Sequence, residues 1–345
     1  MHTQRVAIIG YGTAGRCYHG PLVRDAPGLE LRGFCSRHAG RRRVIREEQA
    51  CIAYESPEEV LSDDNVDLVI LATPHATHAD LAVNALEAGK HVVTDKVMCL
   101  SLQECDRMIR TSIATERFLS VFHNRRWDGD FLTLQDCMKN HRLGRVTWVE
   151  MAWQKYGPPK NWRGQAAAGG GRFYDLGPHL LDQILLLFPQ RIEGVYCRMH
   201  HDFPDTDVES HCVIVLMFAD GCTGVCDVTS MAMIPKPRFH VFGSEATFIK
   251  YGIDPQEDAL KAGDLDSAVE KEEDYARIAC PAGSAVVPTI PGRWRNFYEN
   301  VAAVLNRGAE PLVKLREMRR LMAVLDAAKQ SAARGGVITP ERGER

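Results

Sequence analysis

Several features that would place this chain in a specialised class are missing from its sequence. No apolar run approaches the roughly 20 residues needed to cross a bilayer. No basic lead with an apolar block and cleavage site precedes the first predicted strand, so we expect no secretory signal. Lys and Arg total 42 against 45 Asp and Glu, which is not the global basic excess of many nucleic-acid binders. We therefore expect a cytoplasmic protein that binds neither nucleic acid nor membrane.

The 11 cysteines form no C-x-x-C pair and no cluster with metal-binding spacing. Scattered cysteines without a secretory signal are typical of a reducing compartment, where thiols stay free. Because a structural zinc site needs closely spaced ligands, we predict no metal site. Hydrophobic residues at 45% and charged residues at 25% are ordinary for a globular protein, and 345 residues favour two domains.

Short apolar segments alternate with helix-like segments through the first third of the chain. The predicted strands lie at 6–9, 29–35, 66–72, 91–94 and 118–122. Strands separated by helices form parallel crossover units. The pattern predicts an α/β domain with a doubly wound, parallel Rossmann sheet over residues 1–123.

Residues 124–345 follow a different pattern, with strands predicted at 146–154, 192–199, 211–219, 222–231, 238–242 and 247–250. Asp220-Gly221 between two of them is a typical hairpin turn. Strands joined by short turns predict an α+β domain with an antiparallel or mixed sheet. The charge-rich segment 256–277 is predicted to be a solvated excursion, and helices are predicted at 293–306 and 315–335.

A glycine loop, Gly10-x-Gly12-x-x-Gly15, follows the first strand and opens a helix. In this context the first glycine permits a tight turn, the second lets the backbone approach a pyrophosphate, and the third lets helix and strand pack closely. The helix N-terminus offers unpaired N–H groups to phosphates. The loop therefore predicts a dinucleotide site that includes Thr13 and Ala14.

The end of the second strand indicates which dinucleotide is bound. An NAD site usually places Asp or Glu there for the ribose 2′-hydroxyl, but this sequence has Ser36 and Arg37. A hydroxyl donor and a guanidinium both suit a 2′-phosphate. NADP is therefore favoured, with NAD as the alternative, and at least two of the three arginines at 41–43 are expected to form a solvated helix face.

Three further motifs resemble one family. They are Thr73-Pro74-His75-x-x-His78, the segment Ala88-Gly-Lys-His-Val-Val-Thr-Asp95-Lys96, and Gly169-Gly-Gly-x-x-x-Asp175-x-Gly177-x-His179-x-x-Asp182. In this order behind a Rossmann loop, they resemble the Gfo/Idh/MocA oxidoreductases. The sequence of residues 173–183 is similar to that of the NADP-preferring inositol dehydrogenase branch of that family.

The resemblance implies a Rossmann domain followed by a domain, 124–345, with a large open, mainly antiparallel sheet, which binds substrate and commonly forms the subunit interface. It also implies a catalytic lysine, which falls on Lys96. The family's usual Glu and Pro around this lysine are Asp95 and Val97 here, and its usual Asn after Thr73-Pro74 is His75. The predicted cofactor-binding residues are Gly10, Gly12, Thr13, Ala14, Gly15, Ser36, Arg37, Thr73, Pro74, His75, His78 and Lys96.

The chemistry of alcohol oxidation also indicates which residues are candidates for catalysis. Oxidation needs a base for the hydroxyl proton, and His179 suits this role because the pKa of histidine lies near neutrality. If the stretch is helical, Asp175, His179 and Asp182 share one face. Asp175 is predicted to orient the imidazole or hold a substrate hydroxyl, Lys96 to stabilise alkoxide charge, and Asp182 to be structural. Pro178 favours a helix that begins near Gly177.

A polyol or sugar needs convergent hydrogen-bond donors and often an aromatic platform. The predicted substrate residues are Lys96, Asn124, Tyr156, Trp162, Arg163, Asp175 and His179. Arg125 and Arg126 are predicted either to contact substrate or to form interdomain salt bridges.

The residues together predict an NADP(H)-dependent dehydrogenase that interconverts a secondary alcohol and a ketone on a cyclic polyol or sugar, with inositol the best single choice. The alternatives are an NAD-using reductase of another small substrate and a non-catalytic, dinucleotide-sensing regulator. Residues 213–218 are apolar on both faces of their strand. One helix layer covers only one face, so a homodimer or homotetramer through this sheet is expected.

Overall fold

The structure, a computed structural model, describes residues 3–342. The chain divides into two units. The first contains the residues up to Asn124 together with Glu257–Ser267 and Trp294–Arg319, and the second contains Arg125–Gln256, Ala268–Arg293 and the residues from Arg320 onward. The division predicted near residue 123 thus omits two later segments that return to the first unit.

Six strands form the first sheet: β1 (Gln4–Ile9), β2 (Leu29–Cys35), β3 (Ile52–Tyr54), β4 (Leu68–Leu71), β5 (His91–Thr94) and β6 (Leu119–Val121). Eight form the second: β7 (Val146–Gln154), β8 (Ile192–His200), β9 (His211–Phe218), β10 (Thr223–Thr229), β11 (Phe239–Gly243), β12 (Thr247–Lys250), β13 (Ala276–Cys280) and β14 (Gly283–Val287). The α-helices are α1 (Gly20–Arg24), α2 (Ala39–Gln49), α3 (Pro57–Ser62), α4 (His78–Glu87), α5 (Leu102–Ala114), α6 (Gly129–Lys139), α7 (Arg172–Asp175), α8 (Gly177–Leu187), α9 (Gln256–Ala262), α10 (Arg295–Arg307) and α11 (Leu315–Arg334).

The first sheet is wholly parallel, with strand order β3-β2-β1-β4-β5-β6. This is the dinucleotide-binding order, and its direction of winding reverses between β1 and β4. All four residues of β4 and five of the six in β1 are buried, as expected for strands covered on both faces. The Rossmann prediction is confirmed, and ligands of such sheets bind outside the carboxyl ends of the strands.

The second sheet has the order β14-β13-β12-β11-β7-β10-β9-β8. Its neighbouring strands pair antiparallel except β7 with β10, which run parallel. The predicted open, mainly antiparallel sheet is confirmed, and so is the hairpin at Asp220-Gly221. Along β9, Ile214 and Leu216 are buried, whereas Met217 on the opposite face is 38% exposed.

Some local predictions differ from the structure. The segment 256–277 is mostly exposed, but it holds helix α9 and the first residues of β13, and it contributes 257–267 to the first unit. Strand β14 and helix α6 are missing from the prediction. The charged residues before it hid β13, a short strand between β12 and β14 in which only Ala276 and Ile278 are buried.

Candidate active site

The three glycines of the loop have different surroundings, which match their predicted roles. Gly10 has a φ of +118°, and a Cβ there would lie 2.2 Å from the carbonyl oxygen of Ala72. A Cβ on Gly15 would lie 2.1 Å from the carbonyl oxygen of Gly10, whereas one on Gly12 would meet no atom within 4 Å. Two glycines thus permit tight backbone packing, and Gly12 faces open space of the kind that a pyrophosphate requires. The loop fits a dinucleotide, with Thr13 and Ala14 at the start of the π-helical turn Ala14–His19.

The end of β2 carries Ser36 and Arg37 and no carboxylate. Ser36 is buried, and its Oγ accepts the His38 N–H at 3.3 Å, while Arg37 is exposed. Arg42 donates from Nη1 to the carbonyl oxygens of Ser36 and Arg37, at 3.0 and 2.9 Å. Arg41 and Arg43 are exposed, so the prediction that two of the three arginines form a solvated face is confirmed. The third arginine supports the turn that carries Ser36.

The segment after β4 contains Thr73, Pro74 and two histidines. The Thr73 and Thr77 hydroxyls are 2.7 Å apart, and Thr77 Oγ1 donates to the Pro74 carbonyl at 2.8 Å. His75 is buried, with its ring centroid 5.7 Å from that of His78. The hydroxyl contacts fix the backbone that leaves the sheet at its carboxyl edge, where ligands of this fold bind.

His78 is completely buried, and its two ring nitrogens face backbone carbonyls. Nδ1 lies 2.8 Å from the Val97 oxygen and Nε2 lies 3.0 Å from the Thr73 oxygen. Burial lowers the pKa of His78, although the two carbonyls oppose this. His78 therefore holds together the segments after β4 and β5, whereas the sequence prediction was direct cofactor binding.

Lys96 lies just beyond β5, and the Lys96–Val97 peptide bond is cis. Its backbone N–H donates to Asp95 Oδ1 at 2.7 Å. Burial raises the pKa of the Asp95 carboxyl, but His19, Lys96 and His78 lower it by more, so that it lies well below its ordinary value. Asp95 is thus a carboxylate at neutral pH, directly beside the predicted catalytic lysine.

In the second unit, Asp175 is held by two arginines. Arg163 Nε lies 3.1 Å from Oδ1, and Arg172 Nη1 lies 3.3 Å from Oδ2. Arg172 is buried, which lowers its pKa, whereas the Arg163 side chain is 42% exposed and its guanidinium stacks over Trp162 at 4.6 Å. Ion pairing fixes the carboxylate of Asp175 and leaves Arg163 accessible from one side.

His179 is buried in the first turn of α8, which begins at Gly177 as Pro178 predicted. Its ring packs at 5.8 Å from that of Trp153, and the guanidinium groups of Arg125 and Arg238 lie over the same indole at 4.3 and 4.8 Å. Asp175 ends the separate short helix α7, with Leu176 between the two helices. The predicted single helical face shared by Asp175, His179 and Asp182 is therefore wrong, because the chain breaks its helix before Gly177.

Asp182 has a structural partner within its own unit. Its carboxylate accepts two hydrogen bonds from Arg126, at 2.8 Å from Nε and 2.7 Å from Nη2. Arg125 pairs with Asp128 at 3.1 Å. Both arginines, which were predicted either to contact substrate or to form interdomain salt bridges, thus form ion pairs inside the second unit.

The remaining predicted substrate residues have varied environments. Asn124 is buried at the start of a 3-10 helix, and Tyr156 is 59% exposed beyond β7. Trp162 and Arg163 share the 3-10 helix Asn161–Gly164. The structure brings Trp162, Arg163 and Asp175 together, whereas Tyr156 is directed largely to solvent.

Sequence reasoning missed four residues around these sites. His19 and Tyr298 lie next to Asp95 in the first unit, and Arg172 and Trp153 surround Asp175 and His179 in the second. Only His19 carried a usable signal, since it stands four residues after the last loop glycine on the turn that follows. In residues 3–342 no group of three or more His, Cys, Asp or Glu side chains is placed to hold a metal ion. None of the helices in this range is long and apolar enough to cross a membrane.

The parallel sheet with its glycine loop defines a protein of the dinucleotide-binding class. Residues 4–123 match the family model described as an oxidoreductase family with an NAD-binding Rossmann fold, and residues 131–249 match the GFO/IDH/MocA C-terminal domain. The chain belongs to the GFO/IDH/MocA oxidoreductase family. It is therefore an NAD(P)-dependent oxidoreductase.

Three relatives cover almost the whole chain. The Escherichia coli (strain K12) protein named uncharacterized oxidoreductase YdgJ is 32% identical, over 95% of this chain and 96% of its own. The Bacillus subtilis (strain 168) enzyme named scyllo-inositol 2-dehydrogenase (NADP(+)) IolW is 28% identical, over 96% of this chain and 94% of its own. The solved structure of the oxidoreductase yvaA from Bacillus subtilis superposes with a TM-score of 0.91 at 27% identity, over 99% of both chains.

Proposed function

We propose that the chain is an NADP(H)-dependent dehydrogenase that interconverts a secondary alcohol and a ketone on a cyclic polyol or sugar, with an inositol as the first substrate to test. The carrying observation is the buried His179 in the first turn of α8, four residues after Asp175, a carboxylate that two arginines hold. An imidazole is the side chain best suited to take a hydroxyl proton near neutral pH. The name of the relative IolW supports both the polyol and NADP.

Each residue has a separate task in this proposal. The glycine loop holds the pyrophosphate, and Ser36 and Arg37 bind the 2′-phosphate. When bound, the nicotinamide supplies the hydride chemistry. Lys96 stabilises negative charge on the substrate oxygen, His179 accepts the hydroxyl proton, and Asp175 orients the substrate through its remaining acceptor capacity.

The residues at the end of β2 support NADP over NAD. A carboxylate there would repel a 2′-phosphate, and none is present. Ser36 and the exposed Arg37 offer a hydroxyl and a guanidinium instead, and Arg42 holds the carbonyls of both. The proposed site therefore includes a prepared turn with two donors for a phosphate.

The test is a panel of initial rates with inositol isomers and aldoses, each with NADP and with NAD. We expect turnover of at least one cyclic polyol or sugar, with higher kcat/KM for NADP. The matched control is Lys96→Ala, which keeps the dinucleotide loop and should abolish most of the signal. An enzyme that binds NADPH but oxidises no member of the panel contradicts the polyol assignment, and a preference for NAD contradicts the cofactor assignment.

A further inference from the structure

A buried histidine lies behind the predicted catalytic lysine. His19 is wholly inaccessible to solvent and ends the π-helical turn Ala14–His19 that follows the glycine loop. Its Nδ1 lies 2.6 Å from the Tyr298 hydroxyl, and its ring packs against Phe122 with centroids 4.5 Å apart. The hydroxyl and the packed ring fix the orientation of the imidazole.

The other ring nitrogen of His19 faces Asp95. Nε2 lies 3.7 Å from Asp95 Oδ2 and makes no hydrogen bond within residues 3–342. A neutral imidazole donates from one nitrogen only. A hydroxyl that donates to Nδ1 leaves the proton on Nε2, where it points toward a carboxylate. The arrangement therefore matches an Nε2–H tautomer that acts on Asp95 through electrostatic attraction.

Asp95 transmits this contact to Lys96. Its backbone N–H donates to the Leu71 carbonyl at 2.8 Å, and its Oδ1 accepts the Lys96 N–H at 2.7 Å. The two carboxylate oxygens thus face different neighbours, Lys96 on one side and His19 on the other. A rotation of the Asp95 carboxylate would break its hydrogen bond with the backbone N–H of Lys96.

We propose that His19 is a positioning residue for Lys96, and that it acts through the Asp95 carboxylate while Tyr298 holds its ring. The inference rests on the proposed function of Lys96 in stabilising substrate charge. It also links two parts of the first unit, because His19 belongs to the turn that the dinucleotide loop opens, and Asp95 belongs to the segment after β5. The contact between His19 and Asp95 thus connects the turn after the dinucleotide loop to the backbone of Lys96.

Two substitutions separate positioning from packing. The longer amide side chain introduced by His19→Gln reaches about as far as Nε2 and keeps a donor for Asp95, whereas the shorter amide in His19→Asn reaches only the Nδ1 position. We expect His19→Asn to lower kcat about 3- to 10-fold, which is less than the range for a lost hydrogen bond to a charged group, because Nε2 attracts the carboxylate across 3.7 Å. His19→Gln should recover most of this loss, and Tyr298→Phe should give a smaller loss in the same direction. NADPH affinity, measured by cofactor fluorescence, should change little.

The acid limb of the kcat profile gives a readout that packing would not move. The charged or titratable groups that act on Asp95 are His19, Lys96, His78 and Tyr298. Loss of the imidazole raises the pKa of Asp95. In the direction of ketone reduction His179 acts as an acid and does not set the acid limb, so His19→Asn should there lose activity at a higher pH than the wild type. Equal kcat losses in both His19 variants with an unmoved acid limb would overturn the proposal, as would full kcat in His19→Asn.

A stability measurement keeps the inference testable if no polyol is turned over. The lowered pKa of Asp95 contributes stability at neutral pH that is lost as the pH falls. If His19 stabilises this carboxylate, the unfolding free energy of the wild type exceeds that of His19→Asn most at neutral pH, and the difference shrinks in acid. A difference that is constant with pH means packing alone and overturns the proposal, whatever the substrate is.

Discussion

The ring of His179 lies 5.8 Å from the ring of Trp153, with the two planes inclined by 31°. The indole is itself held under two guanidinium groups, of Arg125 and Arg238. Both arginines are buried, so they hold in place the indole that packs beside the imidazole. This packing orients a histidine that chain position alone would leave free to rotate.

His179→Ala should lower kcat about 10²- to 10⁴-fold, since a general base is lost. NADP binding should be unchanged, because the glycine loop and Ser36 belong to the first unit. Raising the pH should partly restore oxidation, where solvent hydroxide accepts the proton. Steady-state rates of the wild type and the variant between about pH 6 and pH 10 check this, because imidazole accepts a proton near the lower end of this range and hydroxide becomes available near the upper end. Unchanged kcat in the variant would remove His179 from the mechanism.

Lys96→Ala should lower kcat about 10²- to 10³-fold, the usual effect of removing an electrostatic donor. High pH should not restore the rate, because hydroxide cannot replace a positive charge. Lys96→Arg, which keeps the charge, is the matched control and should retain more activity. In the double variant with His179→Ala the two losses should not multiply if the residues act as a unit. Fully multiplicative losses would show that they act independently.

Ser36→Asp should shift the preference from NADP toward NAD. A carboxylate at the end of β2 repels the 2′-phosphate and accepts from a free ribose hydroxyl. The measurement is the ratio of kcat/KM for the two cofactors. Arg43→Ala is the control, since Arg43 is 79% exposed and pairs only with Glu47 on its own helix among the contacts of the described chain. If the ratio does not fall in Ser36→Asp, this residue is not at the phosphate.

The second sheet is predicted to be an interface between copies of the chain. Val213 and Val215 lie on the face of β9 that carries the exposed Met217, and Trp148 stacks on Phe242 at 6.4 Å on the same side of the sheet. Val215→Glu should reduce the solution mass measured by light scattering, because it places a charge in an apolar patch. Ile113→Glu, at a residue 70% exposed in the first unit, should leave the mass unchanged. A monomeric wild type at micromolar concentration would refute the interface.

Asp130 should make the protein less stable as the pH rises, the opposite of the effect of a carboxyl group whose pKa is lowered in the folded state. Burial, reinforced by Asp254 and opposed by Arg238, raises the pKa of Asp130 from 3.8 to about 6. The folded state therefore keeps a proton that the unfolded state releases near pH 4, and this group costs stability as the pH rises through that window. Relative to the wild type, Asp130→Asn should gain up to about 3 kcal/mol of unfolding free energy between pH 4 and pH 7.

Urea unfolding at several pH values checks the Asp130 prediction, and the quantity to follow is the difference between variant and wild type. The difference should be flat below about pH 3, where Asp130 is protonated in both the folded and the unfolded state. A difference that does not change up to pH 7 would mean that Asp130 ionises at its ordinary pKa.

The sequence alone predicted the parallel class of the first sheet, five of its six strands and the glycine loop, but not the short strand β3. Their signals are local, because an apolar strand followed by three spaced glycines permits few backbone conformations. The same holds for the hairpin at Asp220-Gly221 and for the start of α8 at Pro178, where a turn or a proline acts over a few residues. The three motifs at 73–78, 88–96 and 169–182 together indicated the family, but they did not predict the short helix α7.

Only the tertiary structure decided which distant side chains meet. Tyr298 reaches His19 across 279 positions of the chain, and Arg126 meets Asp182 across 56. The segments 257–267 and 294–319 join the first unit although their composition resembles that of their neighbours. Hydrophobic and charge patterns record which face of an element is buried, but they do not record its partner, since burial free energy is non-directional. Hydrogen-bond geometry, which is directional, then selects the partners, and it exists only once the chain is folded.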